Sequence, residues 1–583
     1  MIICGVKTTH DGGIALIDNG RLVLSIELEK IENRSRYSGI DDLSEIETLL
    51  ASKGYRPEQV DRWVLDGWHG NAAFQRGESF LDCHHQGQAL RLPVAAYNER
   101  GLKEDVAERQ TFSAKLPIAN HQFSYSSYMH VTGHILGTYC ASPFARRRED
   151  SYVLVWDGGQ YPRLYYVHAA TKKITNLGHL FFLLGTMYSI IGLYFGPYKK
   201  TTAELHQLKA QLADEGFASL YYGGLSIAGK IMSYIAQGEV RKDLLKALPL
   251  IYRAELEISN QFEHKFSRAI QRFVAPRGYS DADVLRTFHT YLQEQLIETL
   301  GEKVSAFGAE NANFCFCGGS ALNIKWNSAI RASGIFRDLF VPPFPNDSGS
   351  AIGAACAEMW IETDRHHLDW HPYVGPDLAA SVPAEDWEER YCSLAGLAQH
   401  LVDTQEPVVF LSGCAEIGPR ALGNRSILAP ATEAGMQQLL NWAKKREAFR
   451  PVAPICLEED ASTIFDPGCS DPYMLFDHLV REEWRDRVPA ICHLDQTARL
   501  QTVNIASEAL EVRILLEEYK KLTGIPLLCN TSANLNGSGF FPDVASATRW
   551  GRVKYVWNNY TLYSKRETVH APESPLVKLA ANE

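Results

Sequence analysis

A pattern of one strand, an Asp-Gly-Gly turn and two further strands occurs twice in this chain, and it constrains the fold more than any other feature. The first copy consists of Met1–Val6, Asp11-Gly12-Gly13, Ile14–Ile17 and Leu22–Leu28. The second consists of Tyr152–Trp156, Asp157-Gly158-Gly159, Arg163–His168 and Lys173–Asn176. Glycines after an aspartate let the backbone approach a phosphate or metal closely, and the aspartate supplies charge or an oxygen ligand.

This duplication resembles the actin–sugar kinase–Hsp70 superfamily, in which two lobes face each other across a nucleotide. From the pattern alone, two ordinary hairpin turns remain the alternative. Helical periodicity dominates 200–310, and Asn313–Cys317 then predicts another strand before a glycine-rich turn. We therefore predict a mixed α/β fold for this part of the chain.

The 583 residues are enough for several domain-sized units. Residues 363–388 are polar and carry three prolines, which is typical of a connection between domains. We predict a first domain over 1–370, a linker over 371–388 and a second α/β domain over 389–583 that begins near a strand at Val408–Ser412.

Charge and cysteine usage narrow the class of protein. The net charge of −11 argues against a general nucleic-acid binder, which needs a large basic face. The twelve cysteines include no C-x-x-C pair, and the N-terminus lacks the basic region of a signal peptide, so we expect a cytoplasmic protein. Leu177–Phe195 is apolar and of membrane length, but its glycines and His179 favour a buried core segment.

Four residues form a candidate metal site. His130 and His134 are spaced to lie on one face of a helix, and Asp157 and Asp347 each stand beside a glycine after an apolar strand. A mixed set of imidazoles and carboxylates suits Fe(II) or Mn(II) better than a closed structural zinc. A structural histidine pair is the alternative.

A dense cationic motif lies in the second domain. Two arginines, Arg420 and Arg425, follow a Gly-Pro turn and precede Ser426, and Lys444, Lys445, Arg446 and Arg450 come later. Cations this close in an acidic protein indicate an anion site, because Arg binds phosphate with two donors and Lys with a compact charge. Asn530 and Ser532 end a nearby strand with hydrogen-bonding side chains. A solvated basic face is the alternative.

Together these motifs resemble the antibiotic and nodulation O-carbamoyltransferases, the family of the tobramycin, cephamycin and NodU-type enzymes, over nearly the whole chain. The matching motifs are His10-Asp11, His130-x3-His134, Asp157-Gly158, Gly229-Lys230-x-Met232, Gly318-Gly319-x-Ala321-Leu322-Asn323, Asp347-x-Gly349, Gly418–Ser426, Phe449-Arg450-Pro451 and Asn530-Thr531-Ser532.

The resemblance implies a first domain like the catalytic subunit of the tRNA threonylcarbamoyl transferase (Kae-like) and a YrdC-like second domain. The second domain makes carbamoyl-adenylate from carbamoyl phosphate and Mg-ATP, and the first passes the carbamoyl group to a hydroxyl of a small molecule, an antibiotic or other secondary metabolite. From the donor set we predict Fe(II), with Mn or Zn as alternatives, at the four metal residues. From their place in a polar turn after the first strand we predict His10 and Asp11 as catalytic residues, with His10 as the general base for the acceptor hydroxyl. Donor and nucleotide contacts are implied for Lys230, Gly318, Gly319, Asn323, Ser348, Gly349, Arg420, Arg425, Ser426, Lys444, Arg450, Asn530 and Ser532.

Other functions stay open at this point. They are a threonylcarbamoyl-type transfer to tRNA, a sugar or acetate kinase, and a sensor that binds nucleotide or carbamoyl phosphate without turnover. As an alternative to a catalytic role, His10 could only form hydrogen bonds within its loop or to a phosphate. We expect neither nucleic acid nor membrane as a partner, and a homodimer is compatible with the sequence.

Overall fold

The computed structural model describes residues 1–31, 33–68, 79–207, 227–258, 262–535 and 537–566. The chain forms two compact units. The first comprises Met1–Val23 and Gly39–Trp370, and the second comprises Leu24–Ser38 and His371–Glu583.

Two main sheets and two hairpins contain the strands that precede Trp370. These strands are β1 (Ile2–Lys7), β2 (Gly13–Asp18), β3 (Arg21–Glu27), β4 (Arg62–Asp66), β5 (Phe80–His85), β6 (Gln88–Pro93), β7 (Gln110–Thr111), β8 (Leu116–Ile118), β9 (His121–Phe123), β10 (Tyr125–Tyr128), β11 (Ser151–Val155), β12 (Arg163–His168), β13 (Lys173–His179), β14 (Asn313–Cys317) and β15 (Leu339–Phe340). One sheet has the order β3-β2-β1-β4-β10-β7 and the other the order β13-β12-β11-β14-β15.

The two sheets repeat one topology. In the first, β1 pairs antiparallel with β2 and parallel with β4, and β4 is parallel to β10. In the second, β11 pairs antiparallel with β12 and parallel with β14, and β14 is parallel to β15. The repeated order confirms the predicted mixed α/β fold of the actin–sugar kinase–Hsp70 type for this part of the chain.

Helices connect and cover these sheets. Those before Trp370 are α1 (Glu45–Ala51), α2 (His130–Ala141), α3 (Pro143–Arg146), α4 (Met187–Ile190), α5 (Lys242–Glu255), α6 (Phe262–Val274), α7 (Asp281–Phe307), α8 (Ile324–Ala332) and α9 (Ser350–Glu362). Residues 202–207 and 227–234 are also helical. Among the described residues, no helix is long and apolar enough to cross a membrane. In Leu177–Phe195, the apolar side chains Phe181, Leu183, Met187 and Ile191 are buried.

Helices α2 and α9 pack against each other, α2 next to β11 and β14 and α9 next to β1, β2 and β4. Glycines allow a very close approach. A Cβ atom on Gly353 would lie 2.2 Å from the carbonyl oxygen of Gly133, and one on Gly137 would lie 2.9 Å from the Cα of Gly353. Helix α2 starts with His130 and carries His134, while α9 follows directly after Asp347-Ser348-Gly349, so this contact positions both groups of predicted metal ligands.

The second unit has a mixed sheet of order β16-β26-β25-β17-β18-β24-β19-β23 and a small sheet of order β20-β21-β22. Its strands are β16 (Trp387–Tyr391), β17 (Val408–Leu411), β18 (Arg425–Ala429), β19 (Ala453–Leu457), β20 (Phe465–Asp466), β21 (His478–Val480), β22 (Thr497–Ala498), β23 (Gln501–Val503), β24 (Leu527–Ser532), β25 (Tyr555–Asn558) and β26 (Thr561–Lys565). Its helices are α10 (Leu394–Thr404), α11 (Met436–Ala443), α12 (Glu458–Ile464), α13 (Glu482–Arg485), α14 (Leu510–Thr523) and α15 (Val544–Trp550).

Residues 371–388, predicted as a linker, lie within the second unit and are hydrogen-bonded to it. The Gly375 N–H donates to the carbonyl of Ala415 and the Ala379 N–H to that of Pro542. Segment Leu24–Ser38, which the prediction placed in the first domain, also belongs to this unit.

We predict that Gly353→Ala destabilises the first unit, because the new methyl group overlaps the backbone of α2 and one helix must move. Overpacking of this kind costs about 1–3 kcal/mol. The measurement is the midpoint of urea unfolding followed by circular dichroism. Gly301→Ala is the control, since its Cβ in α7 meets only Ile335 Cδ1 at 3.8 Å, and removing a helical glycine should stabilise by about 0.5–1 kcal/mol. Equal midpoints for the two variants would contradict the role given to this contact.

Candidate metal centre and anion site

Polar side chains gather where the parallel strands of the first unit end. Lys7 and Asp66 are the last residues of the neighbouring strands β1 and β4, and His130 comes two residues after β10. Asp157 and Gly318 follow the neighbouring strands β11 and β14. The duplicated sheets therefore bring residues that are far apart in sequence to one place.

The structure brings all four predicted metal ligands together. His130, His134, Asp157 and Asp347 are buried, and one ligand atom from each lies within 4.8 Å of those of the others. The two imidazole Nε2 atoms are 3.0 Å apart, and each is 3.4 Å from Oδ1 of Asp347.

These distances fit a metal ion. With metal–ligand bonds of about 2.1 Å, neighbouring ligand atoms are separated by about 3.0 Å in octahedral and about 3.4 Å in tetrahedral coordination. Two imidazole nitrogens and two carboxylates that converge in a buried place form a donor set for a divalent transition metal. The residues therefore form a site that can hold a metal.

A second carboxylate orients His130. Oδ2 of Asp66 is 2.8 Å from Nδ1 of His130, which directs Nε2 of the ring toward the ligand set, as in many histidine metal sites. Burial alone would lower the pKa of His130, but the carboxylates of Asp66 and Asp347 raise it to about 9. The ring of Tyr97 stacks on the imidazole with a centroid distance of 4.4 Å.

Asp157 is held through both carboxylate oxygens. The hydroxyl of Tyr97 donates to Oδ2 at 2.9 Å, and the backbone N–H of Gly319 donates to Oδ1 at 2.7 Å. Glycine is required at position 318, next to Asp157. The φ angle of Gly318 is +86°, and a Cβ atom there would lie 2.5 Å from the backbone of Trp156.

Lys7 connects the ligand Asp347 to Asp66. Its Nζ atom is 3.0 Å from Oδ2 of Asp347 and 3.1 Å from Oδ2 of Asp66, and it lies 4.6 Å from the centre of the Trp68 ring. Burial opposes the charge of this ammonium group, but the two carboxylates hold its pKa above the ordinary value. For the Asp347 carboxyl, burial is likewise outweighed by Lys7, His130 and His10, so its pKa is well below the ordinary value.

Sequence reasoning missed Lys7, Asp66 and Tyr97. A signal existed for the first two, since a charged residue ends each of two apolar strands that the predicted fold places side by side.

His10 lies beside the ligand set. Its Nδ1 is 3.1 Å from Oδ2 of Asp11, and its Nε2 is 3.4 Å from Oδ2 of Asp347. The ring also makes an edge contact with Trp68 at 5.5 Å. An imidazole with a carboxylate on Nδ1 and its other nitrogen beside a metal-ligand set is a candidate general base.

The other predicted contacts of the first unit have local roles in this structure. The side-chain oxygen of Asn323 caps α8 by accepting the N–H groups of Lys325 and Trp326. The Ser348 hydroxyl donates to Asn346 Oδ1 at 2.9 Å, and Gly349 lets the chain pass Phe344. Lys230, by contrast, lies 5.0 Å above the ring of Tyr198 and not among the metal ligands.

Six cations gather in the second unit: Arg36, Arg420, Lys444, Arg446, Arg450 and Arg499. Burial and the neighbouring cations lower the pKa values of four of them, Arg420, Lys444, Arg446 and Arg499. Burial, followed by the neighbouring arginines, lowers the pKa of Arg446 to about 9 and that of Arg499 to about 10, and places that of Arg420 well below its ordinary value.

Several donors of this cluster are buried without a hydrogen-bond partner among the described residues, namely Arg420 Nε, Arg446 Nη2 and Arg499 Nε. Individual members do have carboxylates beside them, such as Glu447 at 4.0 Å from Arg450. An excess of buried positive charge with unused donors fits an anion such as a phosphate.

Two side chains that the sequence predicts to contact the anion form hydrogen bonds within the protein. The guanidinium of Arg425 donates to the carbonyls of Ser412, Gly413, Asn424 and Pro376, so it orders the loop before β18. The ammonium of Lys444 donates to the carbonyls of Ser532 and Asn534 and to the Asn534 side chain. Arg36 and Arg499, which the sequence did not indicate, also lie in the cluster.

Polar residues of β18 and β24 lie next to each other. Ser426 pairs with Ser532 in the sheet, and its buried hydroxyl has no hydrogen-bond partner among the described residues. The Asn530 amide donates to Gln501 Oε1 at 2.8 Å, while its own Oδ1 has no partner in the described chain.

Comparison with known proteins agrees with this architecture. Residues 2–356 match the carbamoyltransferase N-terminus family, and residues 398–556 match the carbamoyltransferase C-terminus family. The chain is 43% identical to Nodulation protein U of Azorhizobium caulinodans, over 98% of this chain and 100% of that protein. It is 30% identical to the 3'-hydroxymethylcephem-O-carbamoyltransferase of Streptomyces clavuligerus, over 94% of this chain and 96% of that enzyme.

Solved structures show weaker likeness. HypF of T. kodakarensis aligns with 62% of this chain and 47% of its own at 13% identity and a TM-score of 0.32. The two family matches and the full-length relatives confirm the predicted family: this chain belongs to the carbamoyltransferases and is a carbamoyltransferase enzyme.

Proposed function

We propose that this protein is an ATP-dependent O-carbamoyltransferase that acts on a hydroxyl of a small secondary metabolite in the cytoplasm. The observation that carries the proposal is the pairing, in one chain, of a buried cation cluster with a metal-ligand set beside His10. The first is suited to phosphate-bearing donors and the second to transfer of the carbamoyl group from an acyl phosphate.

The second unit would make the activated donor. Water releases phosphate from carbamoyl phosphate, and an oxygen of the resulting carbamate attacks the α-phosphorus of Mg-ATP, which expels pyrophosphate and leaves carbamoyl-adenylate. Arg420, Arg446 and Arg499 each have a buried donor without a partner among the described residues, and these donors would bind the phosphate oxygens. The charge-assisted hydrogen bonds would satisfy the donors, and the phosphate would balance the positive charge. A YrdC-like fold remains our prediction for this unit.

The first unit would transfer the carbamoyl group. His130, His134, Asp157 and Asp347 would hold the metal, which we propose is Fe(II) and which would supply Lewis acidity toward the adenylate phosphate. His10 Nε2 would take the proton of the acceptor hydroxyl while the acceptor oxygen attacks the carbamoyl carbon and AMP leaves. Asp11 would hold the His10 ring through Nδ1.

The direct test uses the full chain with ATP and radiolabelled carbamoyl phosphate. We expect pyrophosphate release that requires both compounds. A sugar or acetate kinase would form ADP instead, and a sensor would bind without turnover, so either result would overturn the proposal.

We predict that Arg420→Ala weakens binding of the phosphate-bearing donors about ten- to a hundredfold, since it removes a charge-assisted contact worth about 1.5–3 kcal/mol. The measurement is the KM for carbamoyl phosphate and for ATP in pyrophosphate release. Lys520→Ala is the control, because this cation of the same unit pairs with Asp460 outside the cluster. An unchanged KM for both donors would remove Arg420 from the anion site.

We predict that His10→Asn keeps pyrophosphate release at the wild-type rate and slows transfer to the acceptor by about 10²–10⁴-fold, the usual contribution of a positioned general base. A screen with the wild-type protein first identifies an acceptor. Transfer to that acceptor is then followed as the labelled carbamoyl ester that forms. His121→Asn, an exposed histidine paired with Glu58, is the control. Transfer within a few-fold of the wild-type rate would show that the base lies elsewhere.

A further inference from the structure

We propose that Lys7 and Asp66 set the charge of the ligand set so that it holds a divalent ion in preference to a trivalent one. The inference rests on the proposed metal site. It assigns to this pair a specificity role beyond orienting the ligands.

Lys7 is an integral part of the site and not a surface charge. Its side chain is 1% exposed, and its Nζ contacts one oxygen of the ligand Asp347 and one oxygen of Asp66. The same Asp66 oxygen contacts Nδ1 of the ligand His130. Both residues therefore touch ligands directly, on the side away from the atoms that converge.

The net charge of the ligands and of the charged groups that contact them matches a divalent ion. Three carboxylates, Asp66, Asp157 and Asp347, and the ammonium of Lys7 give a net charge of −2 when the imidazoles are neutral. A divalent ion cancels this charge, whereas a trivalent ion leaves an excess of +1 that burial makes unfavourable. Asp11 lies against His10 and is the same in every variant below.

Iron is the probe, because its two oxidation states place different charges on the same ligands. Apoprotein of the full chain is loaded anaerobically with iron alone, and the reduction potential of the bound ion is measured. The site charge becomes −3 in Lys7→Met, −1 in Asp66→Asn and −2 again in the double variant.

We predict that the potential falls in Lys7→Met and rises in Asp66→Asn, each by at least a tenfold change in the ferric-to-ferrous affinity ratio, which is about 59 mV for one electron. The double variant should return close to the wild type. A purely structural role would instead make the double variant the most disturbed of the three.

Lys172→Met is the matched control. This lysine of the same unit also lies over a tryptophan, Trp360, and donates to backbone carbonyls including that of Trp360, without contact to the metal ligands. The reduction potential of iron bound to Lys172→Met should equal that of iron bound to the wild type.

Potentials that do not follow the site charge would overturn the inference, as would a wild-type site that binds no iron. If Lys7→Met does not fold, the comparison of Asp66→Asn with the double variant still tests it, because their site charges differ by one. Reduction potentials in the predicted order, measured in a protein that releases no pyrophosphate, would uphold this inference and contradict the proposed function.

Discussion

The close contact between α2 and α9 is the constraint on which the metal site depends. His130 and His134 belong to one helix, and Asp347 immediately precedes the other. The ligand atoms are about 3.0–3.4 Å apart, and the helices that position them touch through their backbones, which glycine at 137 and 353 permits. The distance between two helices thus fixes the distance between ligands.

Buried charge is the second constraint, and the two units differ in how that charge is compensated. In the first unit, buried carboxylates are matched by Lys7 and by the imidazoles. In the second, burial and neighbouring arginines lower the pKa values of Arg420, Arg446 and Arg499, and each of these three keeps a buried donor without a partner among the described residues. Such a cluster destabilises the folded protein until an anion binds, so the second unit should gain stability from its ligand.

Local patterns predicted the strands of the duplicated sheets and the helix that carries His130 and His134. Strands Arg163–His168 and Asn313–Cys317 have the predicted bounds, because apolar runs between turn residues define them. Asp157 and Asp347 were identifiable for the same reason, since each follows an apolar strand beside glycine.

What the sequence could not provide depends on contacts between distant segments. Lys7 meets Asp66 only because β1 and β4 pair in one register, across 59 residues of chain. Arg36 joins the cation cluster because Leu24–Ser38 packs with the second unit, which no local pattern indicates. The dense cationic motif also predicted Arg425 as an anion contact, although its guanidinium donates to backbone carbonyls of neighbouring loops.

The most direct test of the account is the metal content and coordination of the protein purified without oxygen. Elemental analysis should give one iron per chain, and X-ray absorption should give only nitrogen and oxygen ligands at about 2.1 Å, two of them imidazoles. His134→Ala should lose this iron while the cation cluster still binds donor. A protein without metal, iron with sulfur ligands, or iron retained by His134→Ala would contradict the central claim.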